Sequence, residues 1–111
     1  MFVTPEYNYF APPALVNALD FLAHEWKYKP AGIVSYGGVS GGLRAAQSLK
    51  GLMTTLRIMP IPEGVAIPNF FENIDKASGT FKPNPLMDAS VKTMLDELAK
   101  WSSALKPMRA G

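Results

Sequence analysis

Apolar positions along the chain change their period several times, and each change marks an element. Leu15, Ala18, Leu19, Leu22 and Trp26 recur at helical spacing behind Pro12-Pro13. Proline suits the first turn of a helix, so an amphipathic helix of about four turns is predicted there. Ala31 to Tyr36 follows Pro30 and is apolar nearly throughout, as a strand covered on both faces must be, and reads as a central parallel strand. Gly37-Gly38-Val39-Ser40-Gly41-Gly42 then makes a glycine-rich turn. After it Leu43, Ala46, Leu49, Leu52, Met53 and Leu56 return to the helical period.

The flanking segments are less regular. Phe2-Val3-Thr4 is a very short β-type run stopped by Pro5, with a loop from Glu6 to Ala11, and a strand starting so near the first residue is expected to be cut short. Arg57 to Ile61 carries Pro60, which predicts an edge or irregular strand, extended by Val65 to Ile67. From Pro68 to Pro85 periodicity is lost, and a loop of that length is usually functional, interfacial or mobile. Asp88 is expected to cap a last helix with the core face Val91, Met94, Leu95, Leu98, Ser102 and Leu105, which Lys106-Pro107 ends. Such alternation predicts an α/β domain with an open parallel sheet between helices. Ligands of such sheets bind at the carboxyl ends of the strands, where the Glu6 loop and the glycine loop both emerge.

Composition narrows the function classes. At 111 residues, 48% apolar and 18% charged, the chain reads as a single folded domain, 1–111. The net charge of +2 comes from dispersed basic residues, so a nucleic-acid partner is not expected. With no cysteine and one histidine, His24, disulfide and thiolate chemistry and a Cys/His metal centre drop out, and a cytoplasmic setting fits. No stretch approaches the roughly 20 apolar residues that span a bilayer, so no membrane partner is expected.

The two loops supply the candidate chemistry. Glu6, Tyr7 and Asn8 offer a carboxylate, an aromatic face and an amide, and Ser35 to Gly42 offers backbone N–H groups at a helix amino terminus. A flat heteroaromatic ring with carbonyls and an N–H would satisfy both, although many glycine-rich turns bind nothing. Neither a Gly-Lys-Ser/Thr phosphate loop nor a Gly-x-Gly-x-x-Gly fingerprint is present. The aromatics Tyr7, Tyr9 and Phe10 read equally as cover for the sheet end, Trp26 and Trp101 as packing or subunit-contact residues, Arg44 as a surface residue and His24 as partly exposed.

Two stretches carry a family resemblance. Thr4-Pro5-Glu6-Tyr7-Asn8-Tyr9, with a following proline and Leu15-Val16-Asn17-Ala18-Leu19-Asp20-Phe21-Leu22, resembles the segment after the third strand in the NADPH-dependent FMN reductase family. Lys29 to Ala45 resembles that family's fourth strand, flavin loop and next helix, in the same order and spacing. The resemblance implies a flavodoxin-like three-layer fold with strand order 2-1-3-4-5, here only the part for strands 3-4-5 with its helices. It implies FMN as cofactor, NADPH or NADH as hydride donor, and a quinone, azo, metal-oxyanion or flavin acceptor. By the same resemblance Pro5, Glu6, Tyr7 and Asn8 line the isoalloxazine and ribityl side. Ser35, Tyr36, Gly37, Gly38 and Gly41 lie along the pyrimidine edge, with Gly38 and Gly41 alike leaving room for the ring without supporting the fold. Flavin chemistry needs a held ring and open space above it, so no catalytic residue is assigned.

Departures temper the likeness. Phe10, Pro13 and Val16 stand where relatives carry small or polar residues, a glycine and a lysine. The family's first two strands and its phosphate-binding loop are expected before Met1. A non-catalytic flavodoxin-like remnant acting as an interaction module is therefore the alternative, and association into a homodimer or homotetramer is expected.

Overall fold

Three parallel strands lie side by side in chain order: β1 (Phe2–Pro5), β2 (Pro30–Tyr36) and β3 (Met59–Ile67). They belong to a computed structural model that describes residues 1–110. Helices α1 (Pro13–Asp20) and α2 (Leu43–Thr55) cover one face of the sheet, and α3 (Pro85–Ala110) covers the other. On the first face Leu19, Ala46, Leu49 and Met53 pack against Ala31 and Ile33. On the second, Met94 packs with Ile61 and Val65, beside Val34, Leu98 and Trp101. Neighbouring β2 residues thus serve opposite cores, the physical reason for its unbroken apolar run. Burying each of Leu19, Leu49, Met53, Ile61 and Met94 contributes about 1.5–3 kcal/mol. No helix is long and apolar enough to cross a membrane among the described residues.

Strand β3 is as irregular as its prolines predict. Between the pairs Ala31/Pro60 and Ile33/Gly64, three β3 residues face one β2 residue. At the opposite border β1 pairs only with β2, and Val3 is exposed.

Four expectations need correction. The first helix has about two turns, not four, and His24–Trp26 forms a separate 3₁₀ turn in which His24 is exposed. Phe21 N–H still bonds Asn17 O at 3.2 Å, but Leu22 N–H turns to Leu19 O at 3.4 Å instead of Ala18 O, and the Ala23 N–H and Leu19 carbonyl that the following turn would join have other partners. Ala23 N–H donates to Glu25 Oε2 at 3.2 Å, and the Trp26 indole donates to Leu19 O at 2.9 Å. The last helix starts before Asp88, because Asn84 Oδ1 accepts the Met87 N–H at 2.9 Å and Pro85 occupies the first turn. It also runs through Pro107, where a proline removes one bond of the final turn only, and Arg109 Nη1 ties the end to Tyr28 O at 2.9 Å. Leu95, expected in the core face, is exposed. The segment after β3 holds a 3₁₀ turn, Phe70–Asn73, and an Ile74/Phe81 bridge.

Candidate functional site

Both loops singled out above leave the carboxyl ends of β1 and β2, and side chains bind them into one unit. After β1, Tyr7 N–H donates to Phe10 O at 2.8 Å and Phe10 N–H to Tyr7 O at 3.0 Å, closing a two-residue turn. Asn8 and Tyr9 both have positive φ, 52° and 71°, the mirror-image geometry such a turn requires. Asparagine adopts it easily and tyrosine does not, so something must hold Tyr9. Its ring lies under the Arg44 guanidinium, 4.2 Å away, a cation–π contact from the first turn of α2.

Glu6 closes the link. Its Oε1 accepts the backbone N–H groups of Arg44 at 2.9 Å and Ala45 at 3.1 Å, so the carboxylate caps α2 across 38 and 39 residues of chain. Its Oε2 accepts from Ser40 Oγ at 3.3 Å and Arg44 Nη1 at 3.4 Å. The positive end of α2 is therefore already met by an anion of the chain itself.

The glycine loop is held from the other side. Gly37 N–H donates to Ile67 O at 3.2 Å, while Asn69 N–H reaches Gly38 O at 2.8 Å. Ser35, fully buried, donates its hydroxyl to Gly41 O at 2.8 Å. Gly42 has φ +78°, and a β-carbon there would sit 2.8 Å from both Tyr36 N and O, so no other residue fits. Gly41 has φ +65°, with Pro68 N 3.1 Å from its would-be β-carbon. Gly38 meets nothing within 4 Å. The expected equivalence of Gly38 and Gly41 is thus corrected: Gly41 serves the fold, and Gly38 borders open space.

Of the nine residues assigned by resemblance, Tyr7, Asn8 and Gly38 lie exposed on the rim, with Pro5, Tyr36 and Gly37 half-buried beside them. Glu6 and Ser35 turn their polar atoms inward, and Gly41 packs against the segment after β3. Gly42 and Arg44 are the parts that spacing alone undervalued. Only the doubling of glycine before the helix signalled the first, and nothing local signalled the second.

The rim is an open, shallow surface bordered by Tyr9, Phe10, Val39 and Phe71, all exposed. A separate cleft of about 430 Å³ lies between Pro68–Asn73 and the start of α3. The described residues contain no group of three or more His, Asp or Glu placed to hold a metal. Backbone dipoles, an amide and aromatic faces can orient a flat, neutral, hydrogen-bonding ring. They fit the ring portion of a flavin, and the rim's one carboxylate is engaged in the cap.

The family model described as NADPH-dependent FMN reductase matches residues 1–72, which contain both loops. An NAD(P)H-dependent FMN reductase of Saccharomyces cerevisiae is 48% identical over 67 residues, 60% of this chain and 34% of that protein. One of Schizosaccharomyces pombe is 46% identical over 70 residues, 61% of this chain and 34% of its own. An NADPH:quinone oxidoreductase of Arabidopsis thaliana is 38% identical over 68 residues, 57% of this chain and 35% of that one. The chain thus spans about a third of the length of the curated relatives it matches. Among solved structures, the flavoenzyme NAD(P)H:(acceptor) oxidoreductase FerB of Paracoccus denitrificans superimposes with a TM-score of 0.58 at 23% identity. The superposition covers 95% of this chain and 59% of FerB, a likeness of fold that makes the sheet flavodoxin-like.

Proposed function

Since this chain belongs to the NADPH-dependent FMN reductase family, we propose that its rim holds the isoalloxazine ring of FMN for hydride transfer from NADPH or NADH to a small electron acceptor. FMN, when bound, supplies the hydride-accepting chemistry, and the chain supplies position and open space. The observation that carries this reading is the Glu6 carboxylate on the amino end of α2, which satisfies the helix end and leaves the loop suited to a neutral ring, not an anion. Pro5, Tyr7 and Asn8 then line the ring and ribityl side, while backbone groups of Tyr36, Gly37 and Gly38 follow the pyrimidine edge. Glu6, Ser35 and Gly41 belong to the same site by holding those loops in place. The name of the Arabidopsis relative makes a quinone the first acceptor to try, ahead of azo, metal-oxyanion and flavin acceptors.

The exposed outer edge of β1 favours a second reading, a non-catalytic interaction module. Titration of the 111-residue chain with FMN, and of a chimera joining it to the remainder of the yeast relative, separates the two. Quenched flavin fluorescence and NADPH oxidation by the chimera support the reductase, and a chimera that binds no FMN refutes it. The reductase reading also includes a cytoplasmic location and a homodimer or homotetramer, since β1 leaves one backbone edge unpaired. A concentration-independent monomer in sedimentation would overturn the last point.

A further inference from the structure

Opposite the ring-binding rim, the amino end of the sheet gathers cations. A cleft of about 360 Å³ is lined by His24, Glu25, Lys27, Tyr28, Lys29, Met108 and Arg109. Arg57 adjoins it, with Nη1 3.3 Å from the Tyr28 hydroxyl. None of Lys27, Lys29, Arg57 and Arg109 is ion-paired among the described residues, whereas Arg44, Lys82, Lys92 and Lys100 are. The one carboxylate lining the cleft, Glu25, folds back to accept the Ala23 N–H.

The backbone here is held in a costly shape. Tyr28 and Arg57 both have positive φ, 62° and 59°, a region that disfavours residues with a β-carbon. In that shape Tyr28 N–H donates to Arg57 O at 2.8 Å, and the Tyr28 carbonyl is turned to Arg109. Arg109 is anchored by Tyr28 O at 2.9 Å and Ser102 O at 3.4 Å, which uses two of its five donors and aligns the fork. A guanidinium fixed in this way, in a cleft also lined by two lysines and a tyrosine, supplies the charge and the donors that a phosphate-type oxyanion takes.

We propose that this cleft is a binding site for the phosphate group of a small molecule, separate from the ring-binding rim. The two ends of β2 lie about 20 Å apart at roughly 3.3 Å per residue, so one small phosphate cannot serve both. The site stands on its own geometry and does not depend on flavin binding.

Titrating the ¹⁵N-labelled 111-residue chain with inorganic phosphate, pyrophosphate and adenosine 5′-monophosphate, without flavin, tests the proposal. Saturable amide shifts are expected at Lys27–Lys29, Arg57 and Arg109, with pyrophosphate binding at millimolar affinity or better, about −4 kcal/mol. Tighter binding of the nucleotide than of phosphate would assign a nucleotide ligand, and the reverse a free phosphate. K27Q/K29Q, at side chains with no hydrogen-bonded partner among the described residues, should keep the melting temperature and weaken pyrophosphate binding by about fivefold or more. R109K keeps the charge, loses the fork and should also bind more weakly. The remote double variant K76Q/K92Q should bind as the parent does. Unsaturable shifts, or equal weakening by K76Q/K92Q and K27Q/K29Q, would overturn the site.

Discussion

Replacing Glu6 with alanine tests whether one carboxylate holds the rim together. The substitution strips the acceptor from the Arg44 and Ala45 N–H groups, which have no intrahelical partner at the start of α2. Loss of a cap costs about 0.5–2 kcal/mol, and loss of the negative charge at a helix amino terminus about 0.3–1 kcal/mol. The Arg44 contact at 3.4 Å adds at most about 1 kcal/mol, because that side chain is half exposed. These terms overlap in a single group, so about 2 kcal/mol is the expected total, a large share of the 5–15 kcal/mol typical of a domain. Urea unfolding followed by far-ultraviolet circular dichroism at neutral pH measures it, with coincident fluorescence to check two-state behaviour. Glu6→Gln keeps one acceptor oxygen and should lose only about half as much. Amide exchange at Arg44 and Ala45 should speed up in Glu6→Ala before the rest of α2 is affected. A Glu6→Ala chain within about 0.5 kcal/mol of the parent, or a Glu6→Gln chain equally damaged, would refute the cap.

Three other outcomes follow from particular contacts. Gly38→Val should leave the melting temperature within a few degrees and abolish flavin-ring binding, whereas Gly42→Ala should unfold or severely destabilise the chain, its β-carbon meeting Tyr36 N and O at 2.8 Å; reversed effects on thermal melting would undo the division of roles. Glu63 buries Oε2 without a hydrogen-bond partner, so Glu63→Met, which removes both carboxylate oxygens at similar side-chain length, should stabilise by about 1 kcal/mol, and a lowered melting temperature would contradict that burial cost. Asp75 is held down to about 2, first by the Ser78 N–H, then by Lys82, the Ser78 hydroxyl and the Ala77 N–H. A lowered acid supports the fold above its unfolded pKa, so the 75–82 turn should be intact above about pH 4 and lose amide protection as pH falls toward 2. Asp75→Asn should show that loss already at neutral pH, and a turn insensitive to both changes would contradict the assignment.

What was legible in the sequence was what neighbouring residues decide. Strand β2 and helix α2 follow from unbroken and 3.6-residue periods, and the irregularity of β3 from Pro60. The end of α1 was not legible, because Trp26 lies at the right spacing from Leu19 and packs on the same core by a different backbone route. Its indole takes the very carbonyl that a longer helix would have used. Continuation of α3 past Pro107 rests on Tyr28, 81 residues away, and no local pattern could announce it. At the rim the motif drew attention to the correct loops, but a carboxylate beside a glycine turn reads as a ligand group until the fold sets it against α2. The same fold separates Gly38 from Gly41, two glycines that spacing treats alike.

The two ends of the sheet differ in charge, and that difference is open to a direct test. At the carboxyl end the positive start of α2 is matched by Glu6, so attraction for a neutral ring comes chiefly from hydrogen bonds and aromatic surface. At the amino end four cations remain without carboxylate partners among the described residues, so attraction for an oxyanion is largely coulombic. Raising salt from about 0.01 M to 1 M shortens the screening length from about 30 Å to about 3 Å. Pyrophosphate binding should therefore weaken steeply over that range. Riboflavin, which carries the same ring as FMN without its phosphate, should bind with nearly constant affinity, because hydrogen bonds at contact distance and apolar burial are not screened. Fluorescence quenching of riboflavin and amide shifts with pyrophosphate, measured on the same samples, give the two slopes. Equal slopes would mean that the rim also draws its ligand by charge, and the role given to Glu6 would fall with that result.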